Sequence, residues 1–199
     1  MCDAFTQKIH KCAMETEDNL IVFVRSAQSF GELHTKLISS FATKLEQKLK
    51  DKFPASDGWD IHERTLITNP LQPRSYPNLS IRKNSWQPKL RVGVEASQLG
   101  TVITYGIIWE SQHDAKKMRN DVFNEMNQRI RLDLKSESWP FYLISNRHHF
   151  RFNNWSREDA IISMRQVIKG EQPSEILDFF YNELVAIVEA LDNFVKGWS

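Results

Sequence analysis

Apolar positions in the middle of the chain follow a two-residue rhythm. From Leu79 the sequence runs LSIRKNSW, then KLRVGVEAS, then TVITYGIIW as far as Trp109. Leu79 and Ile81 alternate with Arg82 on the opposite side, and Leu90, Val92 and Val94 alternate with Lys89, Arg91 and Glu95. Such alternation predicts half-buried strands over Asn78–Lys83 and Lys89–Glu95. Thr101–Trp109 is nearly continuous in β-branched, apolar and aromatic residues, which predicts a central strand covered on both faces. The link Ala96–Gly100 is of hairpin length. A weaker alternation over Trp59–Thr68 predicts a first strand, and the three prolines of Asn69–Pro77 predict a loop or an edge. Phe141–Ile144 and His149–Phe152, turned at Asn146, predict a final strand pair.

Elsewhere the rhythm is helical. Leu33, Leu37, Phe41, Leu45 and Leu49 recur every four residues and predict a helix over 31–51, stopped by Pro54 and the turn residues Ser56, Asp57 and Gly58. Residues 3–14 predict a short helix and Glu15–Asn19 a polar break. Leu20–Val24 (LIVFV) reads either as a buried strand or as the start of a helix running to Phe30, because a short apolar run has no distinguishing period. Met118, Val122, Met126 and Ile130 predict a charged helix over 113–132. Ser156 with Asp159 resembles a capping box at the start of another, which Gly170 ends. Leu177, Phe180, Leu184, Ile187, Val188, Leu191 and Val195 trace the apolar face of a last helix over 174–196. The expected fold is therefore α+β, a mostly antiparallel sheet of about five strands packed against N-terminal and C-terminal helices.

Length fits this picture. The 199 residues suit one domain, or one domain with residues 1–30 as a helical extension. Net charge is +1, so any nucleic-acid binding requires a local basic patch. The two cysteines, Cys2 and Cys12, make a disulfide framework implausible and fit a reducing compartment. No run is long and apolar enough for a membrane span, and the N-terminus lacks a signal-peptide pattern, so the expectation is a cytoplasmic protein without a membrane partner.

Candidate chemistry is sparse. Glu95 and Glu110 close neighbouring apolar runs and could form a carboxylate pair for a divalent-metal-dependent nuclease, yet no lysine stands two positions after Glu95. Their other reading is as acids at the solvent ends of strands. No ligand spacing defines a metal site, and no glycine-rich loop points to a nucleotide cofactor. Arg74, Arg82, Lys83, Lys89 and Arg91 are basic with no acid between 74 and 94, and Arg147, His149 and Arg151 stand among aromatics. These residues suit phosphate contact with base stacking. They equally suit the solvated face of a sheet. Tyr76, Trp86, Phe150, Phe152 and Trp155 either fill a core or form the centre of a protein interface, where aromatics and Arg are favoured.

The order GWDIHE, LSIRKNSW, KLRVGVEAS and TYGIIW, with Tyr105, Gly106 and Ile107 as an aromatic–Gly–Ile feature, a late Trp139–Tyr142 segment and a closing helix, resembles the non-catalytic C-terminal region attached to bacterial PD-(D/E)XK nuclease-like proteins. The resemblance covers about residues 30–196. It implies a recognition or regulatory module of a bacterial or phage system near nucleic-acid defence, and no catalytic residue carries over, since this chain shows no clear D…(D/E)-x-K pattern in a strand context. The functional expectation is non-catalytic association with a protein partner or with itself. The runner-up is a nucleic-acid-binding module or nuclease.

Overall fold

The computed structural model describes residues 4–72, 75–86, 89–109, 141–144, 149–171 and 173–196. The helix expected over 113–132 lies outside them, as do Glu110, Asn146 and Arg147. The chain divides into two compact units, Met1–Lys36 and Leu37–Ser199.

In the first unit, helix α1 (Ala4–Ala13) is followed by a short turn and by helix α2 (Glu17–Lys52), which runs on into the second unit. This shortens the expected polar break, which extends only to Thr16, and lengthens the expected helix of 31–51: α2 has 36 residues, about ten turns. The Thr16 hydroxyl accepts the Asn19 N–H at 3.1 Å, and Glu17 and Asp18 occupy the first turn, where acids favour the positive end of a helix. With its start capped there, LIVFV is helical rather than extended.

The second unit holds a five-stranded sheet in chain order: β1 (Trp59–Arg64), β2 (Asn78–Lys83), β3 (Leu90–Ser97), β4 (Val102–Trp109) and β5 (Phe141–Ile144). Every neighbouring pair is antiparallel. The register sets Leu79 and Ile81 against Val94 and Val92, and those against Tyr105 and Ile107. One face of the sheet is therefore an apolar grid. It joins the core with the Leu37–Leu49 stripe of α2 and with helix α5 (Glu175–Lys196). On the other face Gly93 stands between Ser80 and Gly106. A Cβ at Gly93 would come within 2.7 Å of the Leu79 carbonyl oxygen and 2.8 Å of Ser80 Cβ.

Two local expectations are overturned. Thr65–Thr68 forms a single helical turn, α3, which ends the first strand at Arg64. His149–Phe152 is not a strand: Phe152 has φ +57°, which extended backbone does not allow, and its ring is buried. The capping box at Ser156 also fails to form. Helix α4 (Glu158–Lys169) is entered from Arg157 with no side-chain cap, while the Ser156 N–H donates to Asn154 Oδ1 at 2.9 Å and Asp159 pairs with Arg157. Gly170, with φ +70°, ends α4 as expected. Buried hydroxyls then tie α4 to α5. Ser163 Oγ accepts the Ile176 N–H, and Ser174 Oγ donates to the Ser163 carbonyl.

Candidate association surface

In the second unit, apolar side chains leave solvent. Its exposed large hydrophobics, among the described residues, are Tyr76, Leu99, Ile162 and Ile168, which are scattered along the chain. The first unit is different. Leu20, Ile21, Val22, Phe23 and Val24 are 37–63% exposed, and Phe30 and Leu33 are about half exposed, at 47% and 51%. Ile9 of α1 and Met14 in the turn are exposed too.

The local geometry explains why these residues are held in place yet open. The Asn19 amide donates to the Cys12 carbonyl at 3.0 Å, fastening the start of α2 to the end of α1. His10 meets Phe23 edge to face at 6.1 Å between centroids, and Ala13 is buried. Two helices alone cannot enclose a core, so the remaining apolar area stays in water. The TEDN sequence at Thr16–Asn19 is an N-cap followed by acids, a signal in the sequence that places this helix start and with it the helical exposure of LIVFV.

The aromatic interface residues are mostly committed elsewhere. Trp155 is fully buried against Phe41 and Phe180. Phe152 is buried and meets Phe179, and the half-buried Phe150 lies edge to face with Tyr105 and stacked over Phe179. Trp86 is buried edge to face with Trp59. These four belong to the core reading rather than the interface one, because in each case the ring packs against other rings of the chain. Tyr76, in contrast, is 68% exposed.

Three of the basic candidates are matched with acids. Arg82 pairs with Asp60 at 3.2 Å. Lys83 pairs with Asp192 at 3.1 Å and lies 4.8 Å from the Trp59 ring centre. Arg151 pairs with Glu175 and lies over the Phe152 ring. Lys89 and His149 are exposed, His149 with its ring nitrogen 3.2 Å from the Asn153 amide, and Arg91 is half-buried in β3. A recess of about 160 Å³ is lined by Arg82, Lys83, Asn84, Trp86, Lys89 and Leu90. Glu95 is half-buried in β3 opposite Thr104. Among the described residues no group of three His, Cys, Asp or Glu could hold a metal ion.

Asp192 anchors α5 to the sheet. Burial pushes its carboxyl up, but hydrogen bonds from Lys196, the Trp86 indole N–H and Lys83 outweigh this and hold it below the usual carboxylate range. A lowered folded-state value stabilises the fold above the unfolded value, about pH 4, and that contribution disappears as the pH falls through the folded value. Asp192→Asn is expected to cost about 1–3 kcal/mol at neutral pH, since it leaves Lys83 without its charge partner. In urea denaturation the gap between wild type and variant should be wide at pH 7 and narrower near pH 3. Equal gaps at the two pH values would mean that the carboxylate charge is not what holds α5.

Tyr105 donates to Glu183 at 3.1 Å, and burial, followed by the Glu183 charge, raises its phenol far above the ordinary tyrosine range. The pair is a structural link between β4 and α5. Among the described residues no helix is long and apolar enough to cross a membrane. No protein-family model, curated protein or solved structure matches this chain.

Proposed function

We propose that this protein is a non-catalytic association module whose contact surface is the helical unit of residues 1–36. One observation carries the reading: large apolar side chains of α1 and early α2 stand open to water, while most of those described in the sheet-bearing unit are packed away. Contiguous exposed apolar area on a folded protein marks an interaction site. The pairing of Arg82, Lys83 and Arg151 with acids favours association over nucleic-acid binding, because charges already matched offer less to phosphate.

The test is the full chain beside its Val24→Glu/Phe30→Glu variant. Wild type is expected to bind an apolar fluorescent dye and to associate at micromolar concentration. The variant should lower both by at least roughly ten-fold, since burying an unpaired carboxylate costs several kcal/mol. Its thermal midpoint should stay within about 2 °C of wild type, because both positions are exposed. A wild-type chain that binds neither dye nor any protein, itself included, would overturn the reading.

A further inference from the structure

Gly31 stands inside α2 without a reason in its own surroundings. Glycine is the least favourable helix residue after proline. A Cβ at Gly31 would meet no atom within 4 Å, and its backbone is not left-handed. No turn and no tight contact among the described residues calls for it. A bare backbone on an exposed helix face does suit close approach by another molecule.

Gly31 also belongs to a row. Leu20, Val24, Ala27 and Gly31 are spaced four, three and four residues apart, which places them on one side of the helix, and all four are exposed. The row has two large residues, then two small ones, with a spacing that reads the same in both directions. Turned end for end, the same row sets Leu20 against Gly31 and Val24 against Ala27.

We propose that the partner is a second copy of this chain, docked antiparallel along α2 with Leu20 of each copy seated over Gly31 of the other. The proposal rests on the association reading and names its partner. A two-fold interface requires that when one residue meets another, the reverse contact also occurs, and this row satisfies that requirement with matched sizes. A parallel pairing would set Leu20 on Leu20 and Gly31 on Gly31, crowding one end and leaving a gap at the other. At ~150–200 Å² per fully exposed side chain, Leu20, Ile21, Phe23, Val24 and Phe30, the apolar side chains on or beside the row, present roughly 350 Å², an area that fits a weak dimer formed at high protein concentration. Two helical hairpins joined in this way make a four-helix bundle.

The experiment uses full-length protein with Cys2→Ser and Cys12→Ser as background. Light scattering should give a dimer mass at concentrations up to about 100 µM. Leu20→Cys protein mixed with Gly31→Cys protein should form a mixed disulfide under mild oxidation. Leu20→Cys alone should not cross-link, because antiparallel copies hold the two positions about 16 Å apart, beyond the roughly 7 Å that a disulfide spans between Cα atoms. Gly31→Leu should weaken the dimer by roughly ten-fold or more while circular dichroism retains the helix content, since the seat for Leu20 is then filled. Self-cross-linking of Leu20→Cys in preference to the mixture would overturn the antiparallel pairing, as would a Gly31→Leu dimer as tight as wild type. A monomer that binds the apolar dye, and loses it with Val24→Glu/Phe30→Glu, would overturn the second copy and leave the association reading in place. A monomer that binds neither dye nor protein would overturn both.

Discussion

Gly93→Ala is expected to destabilise the sheet-bearing unit by about 3 kcal/mol or more. The new methyl would lie 2.7 Å from the Leu79 carbonyl oxygen, 2.8 Å from Ser80 Cβ and 3.2 Å from Ile108 Cδ1. Two of these neighbours are fixed by the β2–β3 pairing, so relief requires β2 to move away from β3. Backbone in the middle of a five-stranded sheet has little freedom to do that, because each strand is held by hydrogen bonds on both sides. Urea denaturation followed by tryptophan fluorescence reads the loss directly. A change under about 0.5 kcal/mol would show that the sheet centre relaxes far more readily than close packing permits.

Trp155→Ala should cost about 3–5 kcal/mol, the usual range for removing a fully buried large aromatic. The indole is 0% exposed and meets Phe41 at 5.3 Å and Phe180 at 5.6 Å, both edge to face. It thus joins the stripe of α2 to the face of α5, and the Trp155 backbone N–H adds a 2.8 Å bond to the Gly100 carbonyl at the β3–β4 turn. The deletion loosens α2 and α5 together, while the backbone bond to Gly100 remains. Trp155→Phe should recover part of the stability by refilling some of the volume. If the alanine variant melted within about 2 °C of wild type, the ring would not be part of the core that this packing describes.

The sheet was legible because its pattern is local. Alternation over Asn78–Lys83 and the apolar run to Trp109 place β2, β3 and β4 within a residue or two of their observed ends. The four-residue stripe of α2 and the broad apolar face of α5 are equally local, and both are buried except at their ends, where Leu33 is half exposed and Val195 half-buried. What failed depended on contacts distant in sequence. The ring of Trp86 is equally apolar in a core or at an interface, and its commitment depends on Trp59 and Asp192, far away along the chain. Lys83 and Arg151 look like parts of a basic patch until Asp192 and Glu175 are brought beside them. The candidate surface was missed for another reason: LIVFV is too short to show a period, and only the Thr16 cap marks it as the start of a long helix.

The ordering of the strands has a consequence for synthesis. From β1 to β4 each strand pairs with the next one along the chain, so hairpins can close one after another while the polypeptide emerges from the ribosome. Part of their oily side, however, is covered by Phe180, Leu184 and Leu191, which are made after every strand. Until α5 is made, the nascent sheet must wait with the part that α5 covers bare, a window in which chaperone capture competes with misassembly.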